Sequence, residues 1–168
     1  MKTNATNRAW HNATDLRIMA RVNPGPFFAM RARTELSDAF ESTDYCAEYQ
    51  NETVTLNLYH PTPAGLAAWI EGHNGPTPAW LITAYNPGGE AASDRDNRAR
   101  ESLLDNLLDR AGLACLPAVN RDTAGSWPNE PGWLVAGLEE GMARQLGRRF
   151  GQAALVAVDR ERVDLIWS

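Results

Sequence analysis

Four side chains in this sequence could do chemistry as a group: Asn86, Asn97, Arg98 and Glu130. Asn86 follows the apolar run Ala79–Tyr85 and opens the tetrapeptide Asn86-Pro87-Gly88-Gly89. Its amide carries a donor and an acceptor, which suits a polar ligand or a carbonyl oxygen. The alternative is a side chain that hydrogen-bonds its own turn. Gly88 and Gly89 allow close backbone approach, or simply make that turn. Ser93 then reads as the N-cap of a helix with Asp94 and Asp96 in its first turn. The free N–H groups of such a helix can receive an acceptor or an anion. Asn97 is a poor helix former, so its place in the second turn calls for a hydrogen-bonding role. Arg98 and Arg100 could grip a phosphate or carboxylate. For Arg100 a solvated helix face is the preferred reading. Glu130 closes a polar loop at 120–131, whose length leans towards function. A partly buried carboxylate there could act as general base, pair with an arginine, or hold backbone N–H groups. Trp127 in the same loop is free to contact a ligand. Gln152 opens a buried strand and must find partners.

Other chemistries find less support. No Lys-Ser/Thr follows the glycines as in a Walker loop, and there is no GxGxxG fingerprint. Ser126 has no histidine in a recognisable arrangement. Asp122 reads as a turn residue. His11, His60 and His73 are scattered, and no CxxC or HxxxH spacing occurs, so no metal or cofactor is expected. Cys115, within Leu113–Leu116, reads as a small buried hydrophobe. Arg144, Arg148 and Arg149 sit where cations offset a helix dipole.

The chain has 168 residues, 43% of them hydrophobic, enough for one domain with a sizeable core. A net charge of −5 argues against general nucleic-acid binding. No apolar run approaches a membrane span, and the polar N-terminus lacks the apolar region of a signal peptide. A cytoplasmic bacterial protein is expected.

The elements that must position these residues follow from periodicity and punctuation. Residues 1–30, rich in Asn, Thr and Arg, read as a loosely ordered extension, and 31–168 as a single domain. A helix is expected at 34–42. Strands follow at 45–49 and 53–59, the second alternating Val54, Leu56 and Leu58 with polar residues. Thr62-Pro63 starts a helix that Gly72 to Pro78 breaks. Residues 79–85 read as a strand covered on both faces. A helix from Ser93 to Gly112 follows, then a strand at 113–119. Beyond the polar loop come a strand at 132–137, a helix at 138–149 and strands at 152–158 and 162–167. Strand–helix–strand units with crossovers of about 20 residues imply parallel pairs. The expected fold is therefore α/β: a mixed, mostly parallel sheet flanked by helices, closed by a C-terminal β-hairpin. The C-terminal ends of strands 53–59, 79–85 and 113–119 would share one edge, where such sheets usually bind ligands. Tyr59, His60, the 86–93 loop and the 120–130 loop would face one cleft there.

Taken together, these residues resemble a bacterial family described only as a domain of unknown function, DUF3293. The resemblance covers about residues 35–168. It rests on Phe40-Glu41-Ser42-Thr43-Asp44-Tyr45, on Ile82-Thr83-Ala84-Tyr85-Asn86-Pro87, and on Ser93 with Asn97. The Trp127–Glu130 segment and Gly147-Arg148-Arg149-Phe150-Gly151-Gln152 complete it. Tyr85 departs from the pattern, which often has Trp or Cys there. The resemblance supplies no activity. It implies that Tyr45, Asn86, Asn97, Glu130 and Gln152 match the family's recurring polar positions.

Three functions compete. The first is a domain binding a small polar or anionic metabolite or nucleotide, with Asn86 on the ligand, Asn97 and Arg98 on its polar end, and Glu130 completing the wall. The second is a hydrolase in which Glu130 activates water and Asn86 polarises the substrate. The third is a non-catalytic interaction module using the N-terminal extension or an exposed tryptophan.

Overall fold

The computed structural model describes residues 33–74 and 77–168; the expected extension at 1–30 lies outside them. The chain forms α1 (Arg33–Glu41), β1 (Thr43–Tyr49), β2 (Glu52–Leu56), α2 (Ala64–Asn74) and β3 (Ala79–Thr83). A short 3₁₀ turn, Pro87–Gly89, leads to α3 (Asp94–Ala111). Then follow β4 (Cys115–Asp122), β5 (Glu130–Val135), α4 (Glu140–Phe150), β6 (Ala154–Val158) and β7 (Val163–Trp167).

The seven strands form one sheet in the order β2-β1-β4-β5-β3-β6-β7. Every adjacent pair is antiparallel, which corrects the expected mostly parallel sheet. The reason is specific. The crossovers through α3 and α4 do join strands that run in the same direction, but each skips a place. β5 lies between β3 and β4, and β3 lies between β5 and β6. A helical crossover fixes the relative direction of two strands, not their adjacency. The hairpin of β6 and β7 closes the chain.

Alternation along β3 divides the core. Ala79 and Leu81 point to one face, with Leu66 and Ile70 of α2 packed on it. Trp80 and Ile82 point to the other, with Leu104 and Leu108 of α3 and Leu146 and Phe150 of α4. Trp80 is buried, and its indole N–H donates to the Leu138 carbonyl at 3.0 Å.

Because directions alternate, the C-terminal ends of β3 and β4 share one edge with the starts of β1, β5 and β6. That edge gathers Tyr45, Asn120, Glu130 and Gln152 beside the loop after β3. β2 runs to this edge as well, with Leu56 opposite Tyr45, so the expected sharing of one edge by the ends of β2, β3 and β4 holds, and the backbone of residues 59–61 then turns to the β6–β7 hairpin. The Tyr59 N–H donates to the Val163 carbonyl at 2.6 Å, and Pro61 bridges to Arg162, at the far end of the β6–β7 hairpin.

Candidate functional site

The loop after β3 is built around Asn86, which takes a left-handed backbone at φ 46° and is 3% exposed. Its backbone N–H donates to Asn97 Oδ1 at 2.9 Å, and Asn97 Nδ2 donates back to Asn86 Oδ1 at 3.0 Å. The Ala92 N–H also donates to Asn86 Oδ1, at 3.1 Å. Asn86 Nδ2 donates to Glu130 Oε1 at 2.8 Å, and the Trp127 indole N–H reaches the same oxygen at 2.8 Å. Asn86, Asn97, Trp127 and Glu130 thus form one connected network. Asn97 is in the helix because its amide holds the preceding loop.

The helix end from which an anion grip was expected is capped by its own Ser93. Ser93 Oγ accepts from the Asp96 N–H at 3.1 Å, and Asp94 and Asp96 surround that first turn with negative charge. Arg98 is exposed and lies outside the network.

Arg100 is not on a solvated face. Its Nε donates to the Ala84 carbonyl at 3.0 Å and its Nη2 to the Phe150 carbonyl at 2.6 Å. Burial lowers its pKa from the ordinary value, although an arginine remains charged. It ties the end of β3 to the C-terminus of α4, where a cation is favoured. Gly151 completes that tie. It ends α4 at φ 73°, its carbonyl accepts from the Gly88 N–H at 2.7 Å, and an added Cβ would sit 2.7 Å from the Cβ of Pro87. Gln152 Nε2 donates to the Tyr85 carbonyl at 2.8 Å. Gly88 and Gly89 both take positive φ, as their turn requires.

The expected 120–131 loop is shorter. β4 runs on to Asp122 and β5 begins at Glu130, with Asn120 opposite Glu130 in register. Asp122 closes the remaining turn. Its Oδ2 accepts from the hydroxyl and N–H of Ser126 and from the Trp127 N–H, at 2.7, 2.8 and 2.9 Å. The Ser126 hydroxyl bond first, and the backbone bonds with it, hold the Asp122 pKa below the ordinary value.

Beside this network, on the α2 side of the sheet, lies a cavity of about 30 Å³. Its apolar walls are Phe40, Leu81, Val156 and Leu165, and its polar walls are Tyr45, Thr83, Asn120, Glu130 and Gln152. A water needs roughly 10–15 Å³, so the cavity has room for about two or three water-sized groups and not for a whole nucleotide. Tyr45 donates to the Phe40 carbonyl at 3.1 Å and Thr83 to the Pro131 carbonyl at 2.6 Å. Burial drives the Tyr45 pKa upward, so its phenol stays neutral. Asn120 Oδ1 is buried and has no hydrogen-bond partner among the described residues. Glu130 is half-buried and forms no salt bridge among the described residues. Its carboxylate accepts from the neutral donors of Asn86 and Trp127.

Sequence reading missed Asn120, Thr83 and Phe40 as wall residues. A signal for Asn120 existed. The period-two pattern of Leu116 and Ala118, both packed on the α2 face, continues to 120 and turns that residue inward.

The family model described as "Protein of unknown function (DUF3293)" matches residues 82–155. The match falls within the stretch whose sequence resembles that family, and over this segment it supports the resemblance. The segment contains Asn86, Asn97, Trp127, Glu130 and Gln152, whereas Phe40 and Tyr45 lie before it. No curated protein and no solved structure matches the chain. Among the described residues, no group of His, Cys, Asp and Glu is placed to hold a metal, and no helix is long and apolar enough to cross a membrane.

Proposed function

We propose that this protein binds a small polar ligand, head group first, in the cavity between α1 and the sheet, with Glu130 and Asn120 as anchors. One observation carries the reading. A half-buried carboxylate and a buried amide oxygen line the same cavity, and among the described residues the first has no cationic partner and the second no hydrogen-bond donor. Buried polar groups are normally bonded, so an unmet acceptor is a place where a donor gains. Asn86, Asn97 and Gln152 serve this site indirectly: they fix the loop and aim Glu130.

A hydrolytic role for Glu130 has less support. The neighbouring hydroxyls of Tyr45 and Thr83 already donate to backbone carbonyls, leaving no evident partner for a second catalytic step. An interaction surface has less support still. The exposed large hydrophobics among the described residues are Tyr59, in the loop after β2, and Leu103, in α3.

Thermal melting of the wild type beside Asn120→Leu, against small amines, amides, alcohols and carboxylates, tests the proposal. A ligand at about 100 times its Kd adds roughly 2.7 kcal/mol, on the order of 5–10 °C for a domain of this size. The wild type should shift and the folded variant should shift far less. Equal shifts in both would remove the cavity as the site.

A further inference from the structure

We propose that the head group this cavity accepts is a primary ammonium: the ligand is a small organic amine, bound as its cation. The inference rests on the ligand-binding reading above and adds the ligand's chemical class. Among the ten residues lining the cavity there is one carboxylate, that of Glu130, and no Lys, Arg or His. Tyr45, Thr83 and Gln152 each donate to a backbone carbonyl, of Phe40, Pro131 and Tyr85 respectively. The carboxylate of Glu130 and the buried Oδ1 of Asn120 are left as acceptors.

A ligand suited to this wall must bring donors. A carboxylate or phosphate would bring more acceptors, and a second negative charge beside Glu130. An ammonium brings three donors and the missing positive charge. The size agrees: about 30 Å³ holds a group as large as an ammonium with its first methylene. The walls agree as well. Phe40 and Tyr45 present aromatic rings, and Leu81, Val156 and Leu165 present apolar surface to the carbon attached to the head.

The test is an NMR titration of the full-length chain, labelled with ¹⁵N, at neutral pH. The probes are n-butylammonium and benzylammonium, with n-butanol and butyrate as matched controls. The expected result is saturable shifts at Tyr45, Asn120, Glu130 and Gln152 with the two amines, and at least tenfold weaker binding of the controls. Glu130→Gln should weaken amine binding at least tenfold while its amide oxygen still accepts from Asn86 and Trp127. Asn120→Leu, which removes no bond of the Asn86 network, should weaken it severalfold. It serves if Glu130→Gln does not fold. Butanol or butyrate binding as tightly as the amines at these residues would overturn the ammonium assignment and leave the cavity as a site. No shift at these residues with any of the four probes would overturn both. Amine binding that Glu130→Gln and Asn120→Leu both leave unchanged would place the amine elsewhere.

Discussion

Two polar clusters lie side by side at one edge of this sheet, and they differ in how completely they are bonded. In the loop after β3, Asn86 and Asn97 use their side chains on each other and on the surrounding backbone, at 3% and 4% exposure. In the cavity, Asn120 keeps a buried oxygen with no partner, and Glu130 keeps its charge without a counter-ion among the described residues. Glu130 belongs to both, because Asn86 orients it and the cavity receives it. Residue type alone does not separate scaffold from site here; the bonding capacity left over does. The closed cluster builds the edge, and the open one is the proposed ligand site.

The comparison breaks most visibly at its closed half. We predict that Asn97→Leu lowers stability by about 2–4 kcal/mol, because it strands the buried Asn86 N–H and removes a donor from Asn86 Oδ1. Denaturant midpoints measured by circular dichroism would show this, and a loss under about 1 kcal/mol would mean the loop holds without it. Gly151→Ala comes next, at roughly 1–3 kcal/mol. It combines a left-handed backbone with a Cβ pressed against Pro87. The same denaturation assay checks it, and an unchanged midpoint would show that the α4 end and the 86–89 turn are not locked together.

A pH effect sharpens the cavity half. Burial raises the Tyr45 pKa in the folded protein. A raised value on a phenol favours the neutral form when folded. That stabilisation is complete below the unfolded value, near 10, and declines as pH rises above it. Melting temperatures between about pH 9 and pH 11 should therefore fall less steeply in Tyr45→Phe than in the wild type. Parallel curves would show that the Tyr45 hydroxyl is not confined as described.

Much of this edge was legible in the sequence. The turn residues Asn86-Pro87-Gly88-Gly89, the Ser93 cap and the misplaced helix residue Asn97 marked the loop. Their bonding to Glu130, 33 positions beyond Asn97, depends on strand order. Periodicity gave strand directions but not neighbours, which is why two crossovers read as parallel pairs when each skips a strand. Arg100 was misread because an arginine on a helix looks alike whether its head meets water or two carbonyls of distant elements. Asn120 was hidden by its setting, since a run of polar residues reads as loop even where the ladder continues through it.

The smallest stability effect is also the most direct test of the division between scaffold and site. Asn120→Leu should be melted beside the wild type and Asn97→Leu, without ligand. Replacing an unpartnered buried acceptor by an apolar side chain of similar size removes a desolvation cost. The account predicts that Asn120→Leu melts at or slightly above the wild type, by up to about 1 kcal/mol, while Asn97→Leu melts well below it. A fall in Asn120→Leu comparable to that in Asn97→Leu would contradict it, and would make Asn120 part of the scaffold.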